Sequence, residues 1–206
     1  MLPKFSSFLA GLALALAIPF SHATTLEFGS LANPDNSLPP YLTSYSQDGF
    51  LLGTRNNGVD AFDVLRPEQG GAVALQVNAF GSVATLSRQG GAFSFLSISL
   101  SPIEGYGDNP EPFELLFSGV DVEGNTVWKA VSLHLTPGFQ TYTFTEFGNV
   151  TEISWAQAGI DGVMHRFDAI ELGEPLPLPE PAPLLLLGLG LAALALQRRA
   201  AKPTPR

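Results

Sequence analysis

Gly91-Ala92-Phe93-Ser94-Phe95-Leu96-Ser97-Ile98-Ser99-Leu100 is the stretch whose reading decides the fold. Apolar and small polar residues alternate along it, the period-two pattern of a strand. The alternation breaks once: Phe93 and Phe95 share one parity, whereas Leu96, Ile98 and Leu100 share the other. Such a strand either carries a bulge near Phe95 or is covered on both faces, and a central position suits it better than an edge.

On either side, short runs rich in Phe, Val, Thr and Leu recur between turn residues. They are Leu26-Phe28, Phe50-Thr54, Ala61-Leu65, Ala72-Val77, Ser82-Ser87, Phe113-Val122, Thr126-Leu135, Gln140-Phe144, Val150-Ala156 and Phe167-Leu172. No segment of the region keeps helical spacing for three turns. Gly124-Asn125 between two long alternating runs predicts a hairpin, and Gly90-Gly91 ahead of Phe93 is a weaker hairpin signal. In Thr151-Glu152-Ile153-Ser154-Trp155 the alternation is clean, with Ile153 and Trp155 inward and Glu152 and Ser154 outward, as on a sheet with one wet face. The pattern predicts an all-β fold, an antiparallel β-sandwich or barrel over residues 24–173. Turn residues fill Leu31 to Gln47 and Pro102 to Pro112, which are expected as two long loops.

The chain contains no cysteine. An exported protein of this composition has no disulfide framework, so about 150 residues of sandwich must be held by their own core. Thiol nucleophiles and thiolate zinc sites are excluded as well. Five basic residues (Arg55, Arg66, Arg88, Lys129 and Arg166) stand against nineteen acidic ones between Glu27 and Glu180, a net charge of −14. That balance argues against nucleic acid and against docking on an anionic membrane surface.

The two ends of the chain read as an address. Lys4, the apolar run Phe8 to Phe20 and the small residues of Ser21-His22-Ala23 form a signal peptide over 1–23, with cleavage by signal peptidase expected between Ala23 and Thr24. At the other end a proline-rich linker, 174–181, closes with Pro179-Glu180-Pro181. An unbroken small and aliphatic run follows, expected as a transmembrane helix over 182–197, and then a basic tail, 198–206, opened by Arg198-Arg199. The apolar run, 182–196, is fifteen residues and covers about 22 Å as helix, short of a bilayer core of about 30 Å, so the span is marginal. The two arginines hold the tail on the cytoplasmic side and leave the domain outside.

Reaction centres are scarce. The exported part holds only His134 and His165, lacks Gly-x-Ser-x-Gly, and marks no pair among its many carboxylates, so no catalytic residue is assigned. Asp168 shares parity with Ile170 and Leu172 and is expected to start on the core side, where a carboxylate needs a cation or amide donors. One reading is a structural calcium held by Asp168 and Glu27; the other is capping of backbone amides by Asp168. Asp60 and Asp63 are weaker candidates. A sugar-binding face would gather Tyr41, Tyr45, Tyr106 or Trp128 on one surface, whereas a structural domain would bury or scatter them.

The order of Pro179-Glu180-Pro181, the Leu-, Gly- and Ala-rich segment 182–196 and Arg198-Arg199 resembles the C-terminal sorting signal of the PEP-CTERM proteins of Gram-negative bacteria. The resemblance implies handling by exosortase, a temporary hold in the inner membrane through the C-terminal helix, delivery to the cell surface or matrix, and association with exopolysaccharide and biofilm. The run Gly91 to Ile98, Gln140-Thr141-Tyr142-Thr143-Phe144, Phe147 to Thr151 and Phe167-Asp168-Ala169-Ile170 are similar to the jelly-roll-like sandwich domains that precede such signals. In those domains the last element usually reads Phe-Asp-Asn-Ile; Ala169 stands here where asparagine is usual. The expected protein is a non-catalytic surface or matrix component. The alternatives are a carbohydrate-binding module and a secreted glycan-active enzyme, the latter requiring carboxylates that converge in a cleft.

Overall fold

The computed structural model describes residues 23–33, 35, 37–55, 61–66, 73–78, 81–103, 112–134, 136, 138–156 and 164–176. The signal peptide, the Pro-Glu-Pro tripeptide, the membrane helix, the basic tail, Asp60 and Tyr106 lie outside them. Among the described residues there are thirteen strands: β1 (Thr24–Leu26), β2 (Tyr41–Leu42), β3 (Ser44–Gln47), β4 (Phe50–Arg55), β5 (Phe62–Leu65), β6 (Ala74–Val77), β7 (Val83–Arg88), β8 (Ser94–Pro102), β9 (Phe113–Asp121), β10 (Thr126–Leu133), β11 (Gln140–Thr143), β12 (Val150–Ala156) and β13 (His165–Gly173). They form two antiparallel sheets. The first runs β11-β8-β13-β6-β5-β2, with β1 also on β13, and the second runs β10-β9-β12-β7-β4-β3. The fold is therefore the expected all-β antiparallel sandwich.

β8 lies between β11 and β13, and both of its apolar parities face the core. Phe93, Phe95, Ile98 and Leu100 are all fully buried. A pair of compensating bulges makes this possible. The register with β13 runs from Asp168 opposite Ser99 to Glu171 opposite Ser97, then to Leu172 opposite Phe95. One extra residue on β13, at Ala169-Ile170, is balanced by one extra on β8, at Leu96. Each bulge flips the parity of its own strand. In β13, Phe167 faces the core before the bulge, and Ile170 and Leu172 face it afterwards.

Three expectations are corrected. The segment Leu31 to Gln47 is not one loop: it holds a short 3₁₀ turn (Gly29–Leu31) at its start and, later, β2 and β3. The prolines hide two strands too short to show a period. Gly90-Gly91 does not close a hairpin, because β7 and β8 belong to different sheets and the turn carries the chain across the sandwich. Asp168 does not share a face with Ile170, because the extra residue at the bulge intervenes. The hairpin at Gly124-Asn125 does form: β9 and β10 pair from Thr126 opposite Val120 to Leu133 opposite Phe113. Gly124 has φ +85°, and the Asp121 carboxylate accepts from the backbone N–H groups of Glu123 and Asn125.

With no disulfide, aromatic packing between the sheets carries the fold. The Phe117 and Trp155 rings stack at 5.7 Å, Trp155 meets Phe167 edge-on at 5.1 Å, and Phe95 reaches Phe117, Phe144, Phe147 and Trp155. Each buried ring contributes about 1.5–3 kcal/mol by transfer from water, with more from ring geometry. Gly119 of β9 is where this packing admits no side chain. A Cβ there would lie 2.8 Å from Phe147 Cδ1 and 2.9 Å from Val150 Cγ1.

The end of β13 is held from three sides. Arg88 forms a two-pronged pair with Glu174, with its Nη1 and Nη2 at 2.8 and 2.9 Å from the carboxylate oxygens. Ser94 Oγ lies 2.7 Å from Glu174 O, and the Arg88 guanidinium sits over the Phe50 ring. The outgoing chain is thus fixed through residue 174.

Two measurements check this packing. Gly119→Ala should lower the unfolding free energy by about 1–3 kcal/mol, whereas the outward-facing Ser118→Ala changes it little. Burial pushes the His165 imidazole down to about 3. The unfolded chain takes up that proton near pH 6.5 and the folded chain refuses it, so stability is unaffected above pH 6.5 and falls as pH drops from there toward 3. The slope is at most about 1.4 kcal/mol per pH unit. Denaturant titrations from pH 8 to 4 should show wild type losing stability relative to His165→Asn only below about pH 6.5. A constant difference across that range would contradict the assignment.

Candidate functional site

The structure separates the aromatic residues singled out in the sequence. Trp128 stands on β10, 59% exposed, opposite Ser118 on the outer face of the second sheet. Tyr41 stands on β2, 61% exposed, opposite Asp63 on the outer face of the first sheet. The two lie at opposite edges of the sandwich, since β10 is tied to β11 by Tyr142 OH donating to Ser132 O, and β2 runs into β3 through Thr43 alone. Tyr45 points inward, paired with Leu52, its ring edge-on to Phe28 at 5.2 Å. Its hydroxyl lies 2.9 Å from Glu27 O and 2.8 Å from Gln47 Oε1.

The outer face of the second sheet carries a central row of small and hydroxyl residues, flanked by the exposed side chains of Leu51 and Leu116. From β3 to β10 the cross-strand neighbours are Ser44, Gly53, Thr85, Ser154, Ser118 and Trp128. The Arg55–Glu152 ion pair bridges β4 and β12 on this face.

The outer face of the first sheet carries a different row. Ser101 lies opposite Arg166, Gln76 opposite Asp63, and Asp63 opposite Tyr41. The pairing of Phe167 with Leu75 brings Arg166 beside Gln76. The alternation that sends Phe167, Leu75, Phe62 and Leu42 toward the core sends this polar set outward. At about 4.8 Å between strands, the row from β8 to β2 spans roughly 19 Å. The centre of the row is covered, with Ser101 2% and Gln76 7% exposed, and among the described residues the Gln76 Nε2 approaches the weak acceptor Met164 Sδ at 3.5 Å. Asp63 Oδ1 accepts from Asn78 Nδ2 at 3.4 Å. Arg166 Nε is buried without a hydrogen-bond partner, and the ion pairs among the described residues use Arg55, Arg88 and Lys129.

Asp168 is next along the outer face of β13. Burial pushes its carboxyl up from the usual range and the Glu27 charge adds to that, while the backbone N–H groups of Ala169 and Phe28 donate to it and pull it back. The amide donors weighed for this carboxylate are in place. Glu27 lies close enough to repel it, and among the described residues no group of three acidic or imidazole side chains converges. His165 is buried beside Phe113, and His134 lies on the surface.

Sequence reasoning passed over Arg166 and Gln76. The signal for Gln76 was present: it is the single polar residue in Val73-Ala74-Leu75-Gln76-Val77. The signal for Arg166 was masked by the bulge that follows it. Ala169, at the bulge, has φ +45°, the left-handed region, where a residue with a β-carbon costs about 1–2 kcal/mol and asparagine or glycine less. Ala169→Asn should raise the unfolding free energy by about 0.5–1 kcal/mol in thermal melts, and a loss of stability would contradict the bulge geometry.

Residues 177–199 match the PEP-CTERM protein-sorting motif. None of the curated proteins matches the chain. Among solved structures, a mutant of the family 29 carbohydrate-binding module CBM29-2 superposes with a TM-score of 0.44 at 12% identity, over 75% of this chain and 94% of its own. The CBM22 tandem domain of Paenibacillus barcinonensis Xyn10C gives 0.41 at 13% identity, over 69% and 48%. The family 32 module of C. perfringens NanJ, in complex with galactose, gives 0.34 at 14%, over 74% and 93%. Likenesses of this size assign neither ligand nor activity to the chain. What the chain carries is an all-β sandwich followed by a PEP-CTERM protein-sorting motif.

Proposed function

We propose that this is an exported, non-catalytic protein of the cell surface or extracellular matrix, handed over by an exosortase at Pro179-Glu180-Pro181 and associated with exopolysaccharide. The observation that carries the reading is the sorting motif at 177–199, placed after a sandwich whose chain is fixed through Glu174. The net charge of −14 between residues 24 and 180 suits life outside the cell, in solution rather than against an anionic bilayer. Signal peptidase acts between Ala23 and Thr24; Arg198 and Arg199 hold the tail at the cytoplasmic face until processing. A second reading, a carbohydrate-binding module of the cell surface, is favoured by the exposed ring of Tyr41 beside Asp63 at the β2 edge.

In a host that makes an exosortase, the protein should be recovered from the surface or medium without the residues beyond the tripeptide, as read by intact mass. The combined variant Pro179→Ala, Glu180→Ala and Pro181→Ala should stay in the membrane fraction with its tail. Equal distribution of the two proteins, or an intact tail on the released wild type, would defeat the proposal.

A further inference from the structure

We propose that the outer face of the second sheet is a platform for a neutral polysaccharide, with Trp128 stacking on one sugar ring and the Arg55–Glu152 pair bonding hydroxyls further along the chain. The proposal rests on the carbohydrate-binding reading above and gives that reading a contact face and a ligand class.

Three observations carry it. The first is the tryptophan. Trp128 stands on the edge strand β10 with most of its surface exposed, and among the described residues its indole makes neither a ring contact nor a hydrogen bond. Tryptophan is highly buried on average, so an indole left in water and unused by the fold is unusual. The second is its surroundings. Ser118 lies opposite it, and Leu116, 48% exposed, lies opposite Ala130 two residues along. These low neighbours leave the ring open, and Leu116 widens the apolar surface. A sugar ring presents an apolar C–H face that fits such a surface and leaves its hydroxyls to polar groups nearby. The third is the polar end of the same face. The Arg55 and Glu152 side chains pair across the sheet and stay 62% and 32% exposed, so a ligand can reach both. A guanidinium that only donates and a carboxylate that only accepts suit hydroxyls, which do both. Glu152 stands on β12, two strands from Trp128 and so roughly 10 Å away, with Ser118 and Ser154 as the low floor between. A chain of sugars laid across the strands meets the ring and the ion pair together.

Other occupants fit less well. A second copy would bring another charge of −14 against the first, and Trp128 with Leu116 covers only a fraction of the roughly 800 Å² that each partner of a stable dimer buries. The same charge, with Glu152 on the face itself, repels an acidic polysaccharide. Tyr41 lies on the other sheet, and inward from its neighbour Asp63 the row is covered at Gln76 and Ser101.

The test is affinity gel electrophoresis of the exported protein through hydroxyethylcellulose, galactomannan, arabinoxylan and, as uronate polymers, alginate and polygalacturonate. At least one neutral polymer should retard the wild type. Trp128→Ala should weaken that binding at least tenfold and Glu152→Gln at least threefold, both with unchanged melting temperature, while Tyr41→Ala binds as wild type does. Retardation by the uronates alone, or equally for wild type and the Trp128 variant, would overturn the site. So would a dimer, seen by sedimentation, that Trp128→Ala dissolves, because it would assign the face to a second copy. Binding lost in Tyr41→Ala and kept in Trp128→Ala sinks this site and leaves the carbohydrate-binding reading standing; retardation by none of the polymers sinks both.

Discussion

The paired bulges at the centre of the first sheet are the constraint on which the rest depends. Without an extra residue at Ala169-Ile170, β13 could not bury Phe167 together with Ile170 and Leu172. Without the compensating residue at Leu96, β8 could not bury Phe93 and Phe95 together with Ile98 and Leu100. Each strand changes parity once, at neighbouring positions, so the register lost on one side is regained on the other. The cost is a left-handed backbone at Ala169 and a carboxylate, Asp168, on the outer face, where backbone amides serve it. The gain is a continuous aromatic core in a protein with no disulfide to share the load.

The same device shapes the other face of the first sheet. By turning Phe167 inward it turns Arg166 and Asp168 outward, and the regular strands β6, β5 and β2 then line up Gln76, Asp63 and Tyr41 beside Arg166. The apolar core and the polar row behind it are two consequences of one register. The second sheet follows a simpler rule, clean alternation throughout β10 and most of β12, and its outer face is correspondingly plain.

Much of the fold was legible because strand parity is a local property. The broken alternation at Phe95-Leu96 pointed to a bulge or to a strand covered on both faces, the clean alternation to Trp155 set a wet face, and Gly124 marked a true hairpin. What was not legible depended on partners distant in sequence. The turn at Gly90-Gly91 looks the same whether the chain doubles back or crosses to the other sheet. A strand of two residues, such as Tyr41–Leu42, is defined by its partner and not by its own pattern. Tyr45, one of the aromatics a sugar-binding face would have gathered, is turned inward by its pairing with Leu52. Asp168 was placed by counting from Ile170, and the count fails wherever an unpaired residue is inserted. The outward row escaped notice for the same reason: its members come from four separate strands, and only the register assembles them. The sorting motif lies within one short stretch of the chain and could be read directly.

Because the chain has no cysteine, the bulge can be tested by single thiol probes in the folded protein. Asp168→Cys, Ile170→Cys and Glu171→Cys would each be exposed to a thiol reagent under native conditions and the rates compared. The bulge predicts fast labelling at 168 and 171 and protection at 170, a pattern that breaks strict alternation. If 168 and 170 react alike and 171 behaves oppositely, β13 is a regular strand, and both the shared core and the outward polar row described for it are wrong.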